Sequence, residues 1–539
     1  HPKINVHSIL DERGAAFFAL GAGLNSGMPA ALVCTSGTAT ANFYPAVIEA
    51  NLARVPLLLL TADRPHDVRS SGANQSVDQV KIFTSHVRWF QDVAPPEAFP
   101  QPRTVRYLPT LAARAVASAT GHTPGPVHLN FPFRKPLGPH VPLTNQFYSV
   151  SATNPSSQRM PPTTFEHGHA QLSRHTVDNL TSALQHITRG LIVCGPRCPS
   201  GDFPAAVQCL AKVTGYPILA DALSGVRFCN GAPDERNHVL GGYEIFLSSY
   251  APEPDLILRF GSTPVSQNLQ DLLESSTATQ IMVAPHGVWE DPTHNLNQWL
   301  WADEAVLCRT LCEQFTPRPS SYIHEVANAE TAAWNTASVL AEHPFTEAMA
   351  LPTIVDSLPE GSNLIVANSL PVRHLDYLVR PQTQYLRVFC NRGASGIDGT
   401  VATASGVAAR SNSPMVVVLG DLAMYHDLNS LQIFQRCNIS GTVVVINNNG
   451  GGIFRSLPIS KHEPHFTDLF LTPHGLHFRD AASMFDLHYR QVHDNSALTN
   501  ALYTSINSQH TTLVEVITDS SQNRAVSNLL SETFQEQYL

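Results

Sequence analysis

Gly420-Asp421 and the run Asn447-Asn448-Asn449-Gly450-Gly451-Gly452 are the residues of this chain best suited to hold a charged ligand. Asp421 follows the apolar stretch Met415–Leu419, and the asparagines follow a second one, Thr442–Ile446. A helical stretch, His426–Cys437, lies between, and 27 positions separate Asp421 from Asn448. That is the length of one strand–helix–strand crossover. It brings both residues to the carboxyl ends of neighbouring parallel strands, where open α/β sheets bind ligands. A carboxylate, an amide oxygen and a backbone carbonyl are hard donors suited to Mg²⁺ carrying a diphosphate, whose own oxygens complete the octahedron. The glycines let the backbone approach phosphates closely, and a helix N-terminus near Ile453 would add N–H donors. Gly-Asp and Asn-Gly are also ordinary turn pairs; the spacing and the Asn- and Gly-rich end set this pair apart.

The elements that must position them fall into three blocks, and 539 residues are enough for about three domains. The first, residues 1–148, alternates apolar runs (Ala31–Cys34, Val55–Leu60, Val127–Phe131) with helical stretches (Asn42–Leu52, Leu108–Ala119). Strands alternating with helices predict a parallel α/β sheet. Ser149–Thr164, rich in Ser, Thr, Asn and Pro, reads as a linker. The second block, 165–325, has strand candidates at Gly190–Cys194, Pro217–Ala220, Leu256–Phe260 and Gln280–Val283, with a helix at Ala205–Thr214. A polar helical stretch, His324–His343, leads to the third block, 345–539. Its strands are Asn363–Val366, Met415–Leu419, Thr442–Ile446 and Thr512–Val516. The predicted architecture is therefore three doubly wound α/β domains.

Composition limits the function. Hydrophobic residues make up 43%, ample for several cores, while charged residues make up 14% against about 25% in typical domains. The net charge of -10 argues against a general nucleic-acid binder, which needs a basic face, but allows a local basic pocket. The sequence has no run of 18 apolar residues and no signal peptide, so no membrane span is predicted. Nine cysteines fit free thiols in a reducing compartment. The spacing Cys194/Cys198 and Cys308/Cys312 is looser than usual for structural zinc. His167, His169 and His175 read as solvated loop, and Gly21-Ala22-Gly23 lacks the rest of a dinucleotide fingerprint.

Gly-Asp, a gap of nearly thirty residues and Asn-Asn resembles the signature of thiamine-diphosphate enzymes. The resemblance assigns the Mg²⁺ ligands to Asp421, Asn448 and the Gly450 carbonyl, with Mn²⁺ as a substitute ion. Leu422 stands where most of that family has a second glycine. One subfamily shares the departure, and Thr35–Ala39 with Asn42, Tyr44–Ala50, Leu60–Pro65, Gly72–Gln75, Gly125–Asn130, Asn391–Gly399 and Asn447–Phe454 closely resemble it. It is the 2-succinyl-5-enolpyruvyl-6-hydroxy-3-cyclohexene-1-carboxylate synthase (MenD) family of menaquinone and phylloquinone biosynthesis. The match is close in the first and third blocks and weak in the middle one.

This resemblance implies pyrimidine-binding, central and diphosphate-binding domains and a thiamine-diphosphate-dependent transferase. The expected reaction decarboxylates 2-oxoglutarate and adds the succinic-semialdehyde carbanion equivalent in a 1,4 fashion to isochorismate. It implies that Glu12 hydrogen-bonds the aminopyrimidine N1′, although Glu12 by position alone reads as an acidic helix start. Gln75 would lie near the reacting centre, Ile397 would prop the bent cofactor, and Gly420, Ile453 and Phe454 would contact it. Arg392, Arg373 and Ser369 would hold substrate carboxylates, with Leu457 in the pocket wall. A homodimer or dimer of dimers is implied, with Glu12 and Asp421 meeting across the interface. The expected location is the cytoplasm, or the plastid stroma for a module of an algal or plant fusion protein.

Two departures stand out. The family pattern begins about forty residues earlier, with a turn whose arginine contacts substrate, so the chain reads as truncated relative to it. Ser266-Gln267-Asn268 lies where many relatives carry basic residues. The competing readings are another carboligase or decarboxylase of acetolactate-synthase type, against which the two arginines speak, and a non-catalytic subunit that keeps the fold.

Overall fold

Parallel pairing organises every sheet among the described residues. The computed structural model describes residues 4–135, 137–138, 163–230, 238–317 and 320–538. Two compact units result: Ile9–Gly168, and His169–Leu539 together with His1–Ser8. The predicted boundary at 148 and the linker Ser149–Thr164 up to residue 162 lie outside the described residues. No helix among the described residues is long and apolar enough to cross a membrane.

The first unit holds β1 (Ala30–Cys34), β2 (Leu57–Asp63), β3 (Trp89–Asp92) and β4 (Pro126–Pro132), in the order β1-β2-β4-β3. The predicted helix Asn42–Leu52 is instead two helices, Thr38–Asn42 and Tyr44–Leu52, because Pro45 starts a new one. Leu108–Ala119 begins earlier, at Pro102, with Pro109 inside it.

The second unit contains two sheets. One comprises β5 (Gly190–Cys194), β6 (Ile218–Ala220), β7 (Val239–Leu240), β8 (Leu256–Phe260), β9 (Thr279–Val283) and β10 (Gln298–Leu300). Its order, β10-β9-β8-β5-β6-β7, is that of a doubly wound nucleotide-binding fold. The other comprises β11 (Asn363–Val366), β12 (Arg387–Phe389), β13 (Met415–Gly420), β14 (Thr442–Asn447), β15 (His488–Val492) and β16 (Thr512–Ile517), in the order β12-β11-β13-β14-β16-β15. Helices cover both faces, so its inner strands are apolar throughout. Val416, Val418, Val444, Val514 and Val516 face one core. Val417, Leu419, Val443, Val445 and Leu513 face the other, as the two-residue strand period requires.

The predicted helix His426–Cys437 is broken. Asp427, fully buried, accepts the Ala402 N–H at 3.0 Å and the Ser430 hydroxyl at 2.7 Å. Holding that carboxylate inward splits the segment into Asp421–His426, a 3₁₀ turn at Leu428–Leu431 and Gln432–Arg436.

Arg227 joins the two sheets of the second unit. Its guanidinium, 0% exposed, lies between the loop after β6 and the helix Leu370–Leu378. It donates to Asp376 Oδ1 at 2.9 Å, to the Asp376 and Val379 carbonyls at 2.6 and 3.1 Å, and to Tyr243 Oη at 3.0 Å. Asp376 Oδ1 also accepts the Tyr243 hydroxyl at 2.7 Å and the Ala222 N–H at 2.9 Å. Removing the guanidinium strands a buried carboxylate, which costs about 3–5 kcal/mol. Arg227→Leu is therefore expected to lower unfolding free energy by about that amount in denaturant titrations; a change below about 1 kcal/mol would contradict the assignment.

Candidate functional site

The carboxyl ends of β11, β13 and β14 meet where the strand order of the last sheet reverses, the place where such sheets bind ligands. Register pairs Gly420 with Ile446, so Asp421 and Asn448 emerge just past the last paired residues. Asp421 is buried; its Oδ2 accepts the Gly450 N–H at 2.9 Å and its Oδ1 the Leu422 N–H at 2.7 Å. His474 Nε2 lies 3.2 Å from Oδ2. Burial pushes the Asp421 carboxyl above its ordinary range, against the pull of those donors.

Asn448 donates from Nδ2 to Glu347 Oε2 at 2.6 Å, while its buried Oδ1 has no hydrogen-bond partner among the described residues. Gly450 has φ of 131°, and a Cβ there would lie 2.1 Å from the Leu471 carbonyl oxygen. Only glycine fits this position. The arrangement brings a carboxylate, an unpartnered amide oxygen and the glycine turn at Gly450 into the lining of one cavity of about 120 Å³. The predicted helix N-terminus near Ile453 is a single 3₁₀ turn, Gly452–Ser456, closed off by Pro458 two residues on.

Of the expected site residues, Ser369, Ile397, Gly420, Asp421, Asn448, Gly450, Ile453 and Phe454 line this cavity together. Ile397 also packs against the core cluster that includes Leu419 and Ala423, and Phe454 meets Phe470 edge to face. Ser369 has φ of 74°, an uncommon conformation for a residue with a Cβ, and its carbonyl accepts Arg373 Nη1 at 2.7 Å. Arg373 and Arg392 flank the cavity without lining it. Arg392 Nη1 donates to Asn368 Oδ1 at 3.1 Å. Burial, then the Arg392 charge, push the Arg373 guanidinium down. Leu457 is 46% exposed and outside the lining.

Glu12 and Gln75 belong to the unit Ile9–Gly168. Glu12 is the first residue of the helix Glu12–Ser26, capped by Asp11, which accepts the N–H groups of Arg13 and Gly14 at 3.2 and 3.3 Å. It lies near Cys34 at the end of β1; burial, with the Glu12 charge adding, pushes that thiol up to about 11. Gln75 has φ of 56° and donates from Nε2 to the Ser36 carbonyl at 2.9 Å and to Thr35 Oγ1 at 3.2 Å.

Comparison with known proteins decides the family. The N-terminal TPP binding domain of thiamine pyrophosphate enzymes matches residues 1–82, and their C-terminal TPP binding domain matches 372–516. A 2-succinyl-5-enolpyruvyl-6-hydroxy-3-cyclohexene-1-carboxylate synthase of Roseiflexus sp. (strain RS-1) is 47% identical over 97% of this chain and 90% of its own length. Those of Roseiflexus castenholzii and Natronomonas pharaonis are 46% and 41% identical, over 98% and 100% of this chain and 91% and 92% of their own lengths. The chain belongs to the 2-succinyl-5-enolpyruvyl-6-hydroxy-3-cyclohexene-1-carboxylate synthase family. The resemblance drawn from Asp421, Asn447–Phe454 and Asn391–Gly399 is borne out, as is the thiamine-diphosphate enzyme fold.

Three residues at the site of this synthase-family chain escaped sequence reasoning. Glu347 opens the helix Glu347–Ser357 and lines the cavity. Burial pushes it up to about 7 despite the Asn448 donor. Asn368 donates to the Asn391 and Gly396 carbonyls, both at 2.7 Å, and so holds the Asn391–Gly399 segment in place. His474 follows no motif. All three come from segments without unusual local composition; only folding brings them to the site. In the middle block, Gln267 donates from Nε2 to exposed Asp271 at 2.7 Å, and Asn268 donates to the Glu244 carbonyl at 2.9 Å.

Glu244 lies within electrostatic reach of Arg373 and accepts the Ser266 hydroxyl. Burial pushes its carboxyl from 4.5 up to about 7. Its folded value is the higher one, so the stability it contributes is complete below pH 4.5 and is lost as pH rises through about 7. Glu244→Gln, which cannot ionise, is expected to gain on the wild type in melting temperature between about pH 5 and pH 8. A difference independent of pH would contradict this.

Proposed function

We propose that this chain catalyses the reaction for which its relatives are named, joining 2-oxoglutarate, with loss of CO₂, to isochorismate. The observation that carries the reading is the oxygen set of Asp421, the unpartnered Asn448 Oδ1 and the glycine-only turn at Gly450. These groups fit Mg²⁺ holding a diphosphate, Mn²⁺ serving as a substitute. Bound thiamine diphosphate supplies the carbanion chemistry, which no side chain provides.

The remaining roles belong to the chain. Glu12 holds the proton at N1′ of the aminopyrimidine, and Gln75 faces the reacting centre. Ile397 would support the bound cofactor, while Gly420, Ile453 and Phe454 would enclose it and keep water out. Arg392 and Arg373 repel each other until an anion lies between them, so they favour a substrate with two or more carboxylates. Ser369, fixed to Arg373 through its carbonyl, sets where that guanidinium points, and Leu457 bounds the opening. The active form is taken as a homodimer or dimer of dimers, and the cytoplasm as its place, in keeping with nine free thiols.

The test is turnover with Mg²⁺, thiamine diphosphate, 2-oxoglutarate and isochorismate, with the product identified by mass. Product is expected; its absence with 2-oxoglutarate, alongside turnover of pyruvate, would reject the substrate assignment. Glu12→Gln should still bind thiamine diphosphate but lose turnover by about 10²-fold or more. Asp421→Ala should abolish Mg²⁺-dependent cofactor binding in calorimetry, and wild-type affinity would reject the metal assignment.

A further inference from the structure

Asn447, Asn448 and Asn449 carry three consecutive amides, and each is held differently. Asn447 donates from Nδ2 to Glu515 Oε1 at 2.7 Å and to the Leu476 carbonyl at 2.9 Å, and its Oδ1 accepts the Asn449 N–H at 3.1 Å. Asn449 Oδ1 accepts the N–H groups of His474 and Gly475 at 3.0 and 2.8 Å. Both of these amide oxygens are therefore spent inside the protein. Asn449 Oδ1 and Asn447 Nδ2 tie the turn after β14 to the 474–476 segment, which carries His474 to Asp421.

Asn448 alone of the three keeps a buried oxygen without a partner. Its amide is fixed only from the nitrogen side, by Glu347 Oε2 at 2.6 Å. An amide is nearly symmetric in shape, so packing does not distinguish Oδ1 from Nδ2. Hydrogen bonding does. A carboxylate only accepts, so the NH₂ must turn towards Glu347 and the oxygen must turn away. Reversing the amide would set Oδ1 against the carboxylate and present an NH₂ to a cation, which is unfavourable on both sides. Glu347 itself is 1% exposed and is held at the start of the helix Glu347–Ser357.

We propose that Glu347 is a positioning residue that selects the amide orientation of Asn448, so that Oδ1 faces the cation. It rests on the Mg²⁺–thiamine diphosphate reading above and adds to it a residue outside the ligand set. Partners that orient metal ligands in this way typically contribute 10–100-fold in metal affinity.

The experiment is calorimetric titration of thiamine diphosphate into the full chain at fixed Mg²⁺ and about pH 8, well above the ordinary carboxylate range. Melting of the metal-free protein is followed in parallel. Glu347→Leu should weaken Mg²⁺-dependent binding about 10–100-fold while the metal-free melting temperature holds or rises, since a buried charge has gone. Glu347→Gln keeps an acceptor oxygen and should stay within about threefold of wild type. Unchanged affinity in Glu347→Leu overturns the proposal. So does a Glu347→Gln variant as weak as Glu347→Leu, which would mean that charge and not orientation matters.

An exchange pair carries the test if Glu347→Leu does not fold. Asn448→Asp alone places two carboxylates against each other and should bind poorly. Combined with Glu347→Gln, whose NH₂ can face the new carboxylate, it should regain about tenfold or more. No recovery overturns the proposal. Wild-type protein that binds no thiamine diphosphate overturns the cofactor reading and this inference together, whereas wild-type binding with unaffected variants overturns this inference alone.

Discussion

The hydrogen bond from the Gly450 N–H to Asp421 Oδ2 fixes how the ends of β13 and β14 meet. A buried carboxylate must be matched by donors, and the donor to its second oxygen is a backbone N–H two residues beyond Asn448. To deliver it, the chain must turn with φ of 131° against the Leu471 carbonyl, which leaves no room for a Cβ. That turn sets the direction of Asn448, and the flanking amides then draw the 474–476 segment into place. The ligand-facing surface thus follows from satisfying one acidic group, and the apolar strands beneath supply the stiffness.

The middle block contributes without supplying any of the oxygen donors. Arg227 anchors the helix Leu370–Leu378 near its end through Asp376. Ser369 and Arg373 lie at the start of that same helix. Arg197, in the loop after β5, donates to the Arg392 carbonyl at 3.0 Å and pairs with Glu290 at 2.8 Å. Both arginines that flank the cavity are therefore referenced to the central sheet. A block that supplies none of the oxygen donors can still set the spacing of the groups around them.

How much of the fold is legible in the sequence depends on where a residue's environment is recorded. Strands buried on both faces, such as Gly190–Cys194, Leu256–Phe260 and Asn363–Val366, were legible because a short, continuous apolar run bounded by turn residues suits little besides a buried strand. Trp89–Asp92, Gln298–Leu300, Arg387–Phe389 and His488–Val492 were not. They are half-buried or edge strands whose composition is mixed, as is the two-residue β7. The segment after Asp421 read as one helix because periodicity does not reveal that Asp427 turns inward. Asp421, Asn448 and Gly450 were legible because spacing, residue type and a glycine requirement coincide within one crossover. Glu347 and Asn368 act across 101 and 23 residues of sequence, and no local pattern marks such pairs.

The strand order of the central sheet has a consequence for how the chain is made. β5 is the first strand of that sheet to be synthesised and also one of its innermost, flanked by β6 on one side and β8 on the other. All five of its residues end up buried. A growing chain leaving the ribosome must therefore carry this apolar strand with one edge open until β8 has emerged, some sixty residues later. β11 repeats the situation in the last sheet, waiting for β12 and then β13. Non-local parallel pairing is slow, and open apolar edges associate with other chains. The interior position that shelters these strands in the finished molecule makes them its most exposed liability during synthesis.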